Sequence, residues 1–511
     1  MRVHDPAHEV FSSLLTLASV LALVGCQPPS NAEGEDGSPT TGIEGGDGDD
    51  DNETGSSMSM SGEGEADQGE EEEEGDGDPG DGDDDDSGGG IKFDTLAVSD
   101  AGSGDCGIGG DVDDATLTGT VYAPNGAIPV GGALVYVTNS EPEPIPDGVY
   151  CAECIELECG IDFTETDVDG TFSLSANSGG GKYLVVQKGQ FMRVTPINIA
   201  PGNQDLPDEM VELPGEWNPD AGLYIPRIAI ADGSFDRIED ALGKFGLGDT
   251  MIQNFTETTV PSTESFDLWD NGRNPTSDGF VSQGTMTQLV SDPANLARYH
   301  IIFVPCSSDT HLTALGNPQN VENIREWVAA GGRWYVADWA NEWLGQTFPE
   351  YQNFYGGGDT DLGVYDSLAD VLDDGMLEWL EALPDGLKDI NPLNDEQHPT
   401  LFQLPKLLTV DNWSGVQYPL PEIFVDDQKG NPVNVGHRAW LEGPGDGFDI
   451  PANQIHPLTI TAQYGCGKIQ FTSYHTAEFF DYVGLSPQEL VLIYTILEIG
   501  VCQEPLPPPQ G

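Results

Sequence analysis

Basic residues are what this 511-residue chain has least of: 17 Lys and Arg stand against 89 Asp and Glu, for a formal net charge of −72. Phosphate binding needs clustered Lys and Arg, so the shortage excludes DNA and RNA as partners. It also speaks against docking on anionic lipid headgroups. Long apolar runs are missing too. The run Phe11–Val24 falls short of the roughly 20 residues a transmembrane helix needs. No internal repeat is visible, so no repeat architecture is expected.

What is present starts with that short run. It closes at Leu23-Val24-Gly25-Cys26, a cysteine behind a small residue. The stretch resembles a bacterial lipoprotein signal, with residues 1–25 as the signal peptide and Cys26 as the lipidated new N-terminus. The resemblance implies firm anchoring to a membrane, since each buried methylene adds about 0.8 kcal/mol. The positive flank is weak, with Arg2 opposed by Asp5 and Glu9, so an uncleaved anchor is the alternative. Gln27 stands where aspartate would signal inner-membrane retention, which favours the outer membrane and the cell surface.

Residues 31–90 hold 24 acids and no Lys or Arg. Such a segment cannot bury enough apolar surface to offset its ordering entropy, and its charges repel. Residues 26–110 are therefore expected to be a disordered acidic tether. Calcium buffering is the alternative to a plain spacer. Removing the −24 of residues 31–90 and the −1 of residues 1–30 leaves −47 on residues 91–511. The cysteines are Cys26, Cys106, Cys151, Cys154, Cys159, Cys306, Cys466 and Cys502. Export permits disulfides, and with Cys26 lipidated an odd number remains. Cys151, Cys154 and Cys159 with Cys106 suggest two disulfides of undetermined pairing, with zinc as the alternative. Cys466 and Cys502 flank the last strand and helix and are expected to bond, which leaves Cys306 as the odd thiol. The Pro-rich tail, residues 504–511, is expected to be disordered.

Residues 111–220 carry short β-branched segments: Ala115–Tyr122, Ala133–Thr138, Thr171–Ser175, Tyr183–Lys188 and Met192–Ile199. Turn signals such as Asp169-Gly170 separate them, which predicts an antiparallel β-sandwich. Leu117–Tyr122, Gly132–Val137 and Thr166–Leu174 resemble the carboxypeptidase regulatory-like family, a transthyretin-like sandwich. The resemblance implies a stabilising or binding appendage. Asp167-Val168-Asp169-Gly170 reads as a hairpin turn; a calcium loop would need further spaced oxygens and a terminal Glu.

From 221 to 503 strands and helices alternate. Pro226–Ala231, Tyr299–Pro305, Arg333–Ala337, Leu458–Gln463 and Lys468–Ser473 read as strands. Phe235–Phe245, Asn320–Ala330 and Leu490–Ile499 read as helices, the last behind the capping box Ser486-Pro487-Gln488-Glu489. This rhythm predicts a mainly parallel sheet with helices on both faces. Residues 345–455 break it and read as a large insertion with a helix near Val364–Leu383. Tyr299–Pro305, Ile324–Val336 and Tyr464–His475 resemble the class I glutamine amidotransferase-like superfamily, which implies a flavodoxin-like three-layer α/β domain. In that family the catalytic cysteine would stand at Asp338-Trp339, where there is no thiol. Its His-x-Glu motif is echoed one residue longer by His475-Thr476-Ala477-Glu478. The family's triad does not carry over.

In an open α/β sheet, ligands bind beyond the carboxyl ends of the strands. That places Asp232, Cys306, Ser307, Ser308, Asp309, His311, Asp338, Trp339, Asn341, Glu342, His475 and Glu478 on one rim. Three uses compete. One is a pocket for glycan or a partner protein, with Asp232, Asp309, Trp339, Asn341 and Glu478 as contacts and Trp343 and Tyr474 also stacking. Another is a hydrolase, with Cys306 as nucleophile, His475 as base and Asp338 orienting it. The last is a metal held by Asp309, His311, Asp338 and His475. No motif fixes a reaction. The expectation is a surface-displayed, non-catalytic binding module without a cofactor; a purely structural surface protein is the further alternative.

Overall fold

Along Thr171–Ala176, Phe172, Leu174 and Ala176 are buried and the residues between them are exposed. That is the period of a strand with one face on a core. The computed structural model describes residues 113–152, 157, 161–307, 310–358, 364–391, 401–447, 450–477, 482–499 and 506–509. The lipidation, tether, Cys106, Cys154, Cys159 and Cys502 readings lie outside these residues. Among them no helix is long and apolar enough to cross a membrane.

The first module contains β1 (Ala115–Thr120), β2 (Leu134–Thr138), β3 (Asp162–Glu165), β4 (Thr171–Ala176), β5 (Gly179–Lys188), β6 (Phe191–Ile199), β7 (Gly202–Asp205) and β8 (Leu223–Tyr224). They form two sheets, β4-β1-β7 and β3-β2-β5-β6-β8. Leu117, Phe172 and Leu174 from one sheet and Val135, Val137, Leu184 and Val186 from the other share a core. The arrangement is sandwich-like. The Asp169 carboxylate accepts the Thr171 N–H at 3.0 Å and the Thr171 hydroxyl at 2.6 Å, so it serves the hairpin turn.

The second module follows with β9 (Ile228–Asp232), β10 (Thr250–Gln253), β11 (Thr256–Thr259), β12 (Asp267–Asp270), β13 (Ser282–Thr285), β14 (Ile301–Val304) and β15 (Arg333–Ala337). Then come β16 (Tyr365–Val371), β17 (Phe402–Gln403), β18 (Lys406–Asn412), β19 (Phe424–Asp426), β20 (Pro432–Asn434), β21 (Arg438–Gly445), β22 (Gln454–Tyr464) and β23 (Gly467–Thr472). Among the described residues, 11 strands make one sheet, β13-β12-β9-β14-β15-β23-β22-β21-β16-β18-β17. It is parallel from β13 to β23 and antiparallel beyond. Without the edge strand β13, the parallel part runs 2-1-3-4-5 in chain order.

Strand residues alternate between two cores. Ile228, Ile230, Ile301 and Phe303 enter one. Ala229, Ala231, Ile302 and Val304 enter the other. Both faces are thus covered, as parallel sheets require. The helix Pro318–Ala329 contributes Ile324, Trp327 and Val328 to the second core. The helix Pro487–Ile499 contributes Leu490, Ile493 and Leu497 to the first. The capping box is formed: the Ser486 N–H donates to Glu489 Oε2 at 2.7 Å, and the Glu489 N–H to Ser486 Oγ at 3.2 Å.

Two expectations need correction. Residues 345–455 are not an irregular insertion, because β16, β18 and β21 extend the sheet. The helix read near Val364–Leu383 is a strand over its first half and a helix only over Asp374–Ala382. Tyr365, Ser367, Ala369 and Val371 are buried in alternation, and that period of two outweighs local helix preference. Likewise Cys466 bonds Cys151, not Cys502, so Cys151 does not pair with Cys106, Cys154 or Cys159 as expected. Cys466 sits in the β22–β23 turn, at the amino edge of the parallel strands. Residues 146–151 run under that same edge. The Val149 N–H donates to Ala297 O at 3.0 Å, and His300 Nε2 lies 3.1 Å from Pro146 O. Gly331, at φ 121°, allows this approach, since a Cβ there would lie 1.9 Å from Tyr150 O.

The modules are not independent. Sandwich residues and one face of the large sheet fall in a single core. Trp379 Nε1 donates across to Pro129 O at 3.0 Å, and buried Lys188 pairs with Glu498 at 2.9 Å. In the tail, Leu506 packs on Val425 and Val435, an apolar anchor in a segment read as disordered.

Candidate functional site

The parallel strands deliver three of the expected rim residues to one point. The chain leaves β15 through Asp338, whose φ of 53° is left-handed. Its Oδ1 accepts the Trp413 N–H at 2.8 Å, and its Oδ2 lies 3.1 Å from His475 Nε2, beyond β23. Cys306 follows β14. One donor atom each from Cys306, Asp338 and His475 lie within 4.8 Å of one another. The neighbouring Asp236 carboxylate accepts the N–H groups of Thr476 at 2.9 Å and Ala477 at 2.8 Å. Burial pushes the Asp338 and Asp236 carboxyls up to about 6. For His475 burial works against the charged ring, but the Asp338 hydrogen bond and the charges of Asp338 and Asp236 prevail and raise it.

As folded, the cluster is closed to solvent and its cysteine is bonded. Cys306 and Asp338 are 0% exposed and His475 3%. Cys306 is disulfide-bonded, so it is neither the odd thiol nor a thiolate nucleophile. Among the described residues the donors that converge are Cys306, Asp338 and His475, without His311 of the expected metal quartet. His311 instead faces Glu342, Nε2 to Oε1 at 4.0 Å. Ser308, Asp309 and Glu478 lie outside the described residues.

The other expected contacts divide. Trp343 is buried beside Trp334, and Tyr474 is buried with its hydroxyl 2.6 Å from Thr459 Oγ1, so neither stacks on a ligand. Trp339 is half-buried against Trp413. Asp232 is buried too. Burial, then the charge of Glu239, pushes its carboxyl up to about 8. At the β9–β14 switch point the described loops pack closely. A Cβ on Gly233 would lie 2.4 Å from Cys306 O, and the Ser307 hydroxyl donates to Asn271 O.

Open space lies beside these residues. A cleft of 610 Å³ is lined by His311, Asn341, Glu342, Gln346, Gln352 and Gln417, with Phe354 among its apolar walls. Asn341 is 6% exposed, and among the described residues its Oδ1 has no hydrogen-bond partner. Gln352 is fixed: its Nε2 donates to Phe348 O at 3.0 Å, and its Oε1 lies 3.2 Å from His437 Nε2. Gln417 Nε2 donates to Phe354 O at 3.2 Å. His311, Asn341 and Glu342 are expected from their places after strands. Gln346, Gln352 and Gln417 are not, because single amides outside any motif carry no sequence signal.

No family model and no curated protein matches the chain. Among solved structures, a ThuA-like protein from Bacteroides uniformis is 12% identical, with a TM-score of 0.26, over 44% of this chain and 79% of that one. A cytoplasmic protein from Salmonella typhimurium is 12% identical, with a TM-score of 0.24, over 54% and 98%. A GH42 beta-galactosidase is 12% identical, with a TM-score of 0.23, over 54% and 30%. Overlaps this loose assign neither a fold nor an activity.

Proposed function

We propose that the chain is a non-catalytic binding module, displayed on the cell surface through lipid on Cys26, whose cleft takes a polyhydroxylated ligand of the glycan class. The observation that carries this is Asn341, which borders a 610 Å³ cleft and whose buried amide oxygen has no hydrogen-bond partner among the described residues. Leaving such an atom dry costs about 1–3 kcal/mol, which a ligand donor would recover. Amides both donate and accept, the pattern that hydroxyl groups need. Among the described residues no Lys or Arg lines the cleft, which disfavours phosphorylated or acidic ligands. Gln352 and Gln417 are already held by backbone, so little ordering is left for binding to impose.

The sandwich is the carboxypeptidase regulatory-like appendage in this reading. The α/β module is an amidotransferase-like scaffold with Asp338 where the nucleophile would stand. Surface display rests on the Leu23–Cys26 signal and the acidic tether behind it. A neutral-glycan array screened with the full chain, followed by calorimetry, tests the cleft. Asn341→Ala should weaken the retained glycan about tenfold, roughly 1.4 kcal/mol. Trp339→Ala, outside the cleft lining, should leave it unchanged. No retained glycan, or one indifferent to Asn341→Ala, would sink the assignment.

A further inference from the structure

The cleft leaves the buried cluster behind it unexplained. We infer that Cys306, Asp338 and His475 form a metal centre closed by the disulfide on Cys306, and that reduction by a dithiol opens it to a divalent ion of the zinc type. The inference is independent of the glycan reading.

Thiolate, imidazole and carboxylate together are a zinc-type donor set. Their donor atoms already lie within 4.8 Å of one another. The 3.1 Å between Asp338 Oδ2 and His475 Nε2 is close to a ligand–ligand edge of a tetrahedral ion. That edge is about 3.3 Å for bonds of about 2.0 Å. The supports a metal site needs are in place. The Trp413 N–H holds Asp338 Oδ1, which turns Oδ2 toward His475. The left-handed backbone at Asp338 aims the carboxylate inward. Gly233 packs against the Cys306 carbonyl and leaves no room for a Cβ, which fixes the third donor's segment. Two carboxyls, Asp338 and Asp236, sit fully buried around one imidazole. A divalent cation would offset the charge that burial penalises there.

The redox step balances. One sulfur of the dithiol attacks the protein disulfide, and its second sulfur resolves the mixed disulfide. Two electrons and two protons pass to the protein, which gains two thiols; the reductant leaves as its own disulfide. The metal then displaces the proton of the Cys306 thiol.

Cobalt(II) titration of the full chain tests this, before reduction and after anaerobic reduction and removal of the dithiol. The oxidised chain should show no thiolate-to-cobalt charge-transfer band, and the reduced chain should show one. Cys306→Ser and His475→Ala should each weaken that binding at least tenfold. Cys466→Ser, which opens only the Cys151 disulfide, and Cys154→Ser should retain it. Equal binding by the oxidised chain would overturn the inference. So would a band that survives Cys306→Ser or His475→Ala, or one that depends on Cys154 instead. A reduced chain without a band overturns it as well, including one that unfolds on reduction.

Discussion

Asp338 holds a left-handed conformation that costs an aspartate on the order of 1 kcal/mol or more. The Trp413 N–H and His475 offset that cost. The same contacts make a pH prediction. Asp338 and Asp236 are raised by burial from 3.8 to about 6, so each binds a proton more readily folded than unfolded. Their contribution to stability is complete below pH 3.8 and is lost as pH rises toward 6. His475 is raised as well, so its contribution is complete below 6.5 and is lost as pH rises through its folded value. All three act in one direction. Unfolding free energy from urea titration should fall as pH rises from about 4 to 7. In Asp338→Asn the fall should be shallower, by at most about 1.4 kcal/mol per pH unit. An unchanged slope in the variant would show that Asp338 does not titrate in this range. At this scale the sequence placed Asp338, His475 and Cys306 on one rim with nine other residues, because all of them follow strands, and did not single the three out. It could not foretell their burial, which depends on what packs over them.

At the scale of elements, the final helix shows how one local signal takes on tertiary weight. Ser486 and Glu489 cap it, as the sequence reads. Glu489 Oε1 also accepts from Lys244 Nζ at 2.9 Å, with both side chains buried. Ser486→Ala should therefore cost about 1 kcal/mol, the usual worth of a cap. Glu489→Ala should cost about 3–5 kcal/mol, because it strands a buried ammonium. Equal losses in denaturant unfolding would mean that the Lys244 pair contributes nothing. β16 teaches the converse. Its alternation of buried and exposed positions is strand-like, yet Asp374–Ala382 follows at once, and the two merge when read in a helical window. β12 and β13 are four residues each, too short for periodicity to register.

At the scale of the whole molecule, the two modules melt as one if their common core governs stability. Trp379 is the sharpest probe, because it is 3% exposed and bonded across to Pro129. Calorimetry should give one transition, with calorimetric and van't Hoff enthalpies equal. Trp379→Ala should lower stability by about 3–5 kcal/mol without splitting that transition. Two resolved transitions in the unaltered chain would show the sandwich to be an autonomous appendage. The charge of −47 on residues 91–511 makes low ionic strength the more demanding condition, since salt screens self-repulsion.

The sequence alone determined what depends on near neighbours. The alternating apolar segments marked strands such as Thr171–Ala176, Ser486 to Glu489 settled the last helix's start, and strand ends nominated the rim. Tertiary structure alone decided what distant segments do to one another. Cys466 pairs with Cys151 at a sequence separation of 315, and Asn341 meets Gln352 and Gln417 around one cleft. The physical reason is that periodicity and capping act within a few residues. Burial, disulfide partnership and cleft shape arise only once the chain has closed on itself.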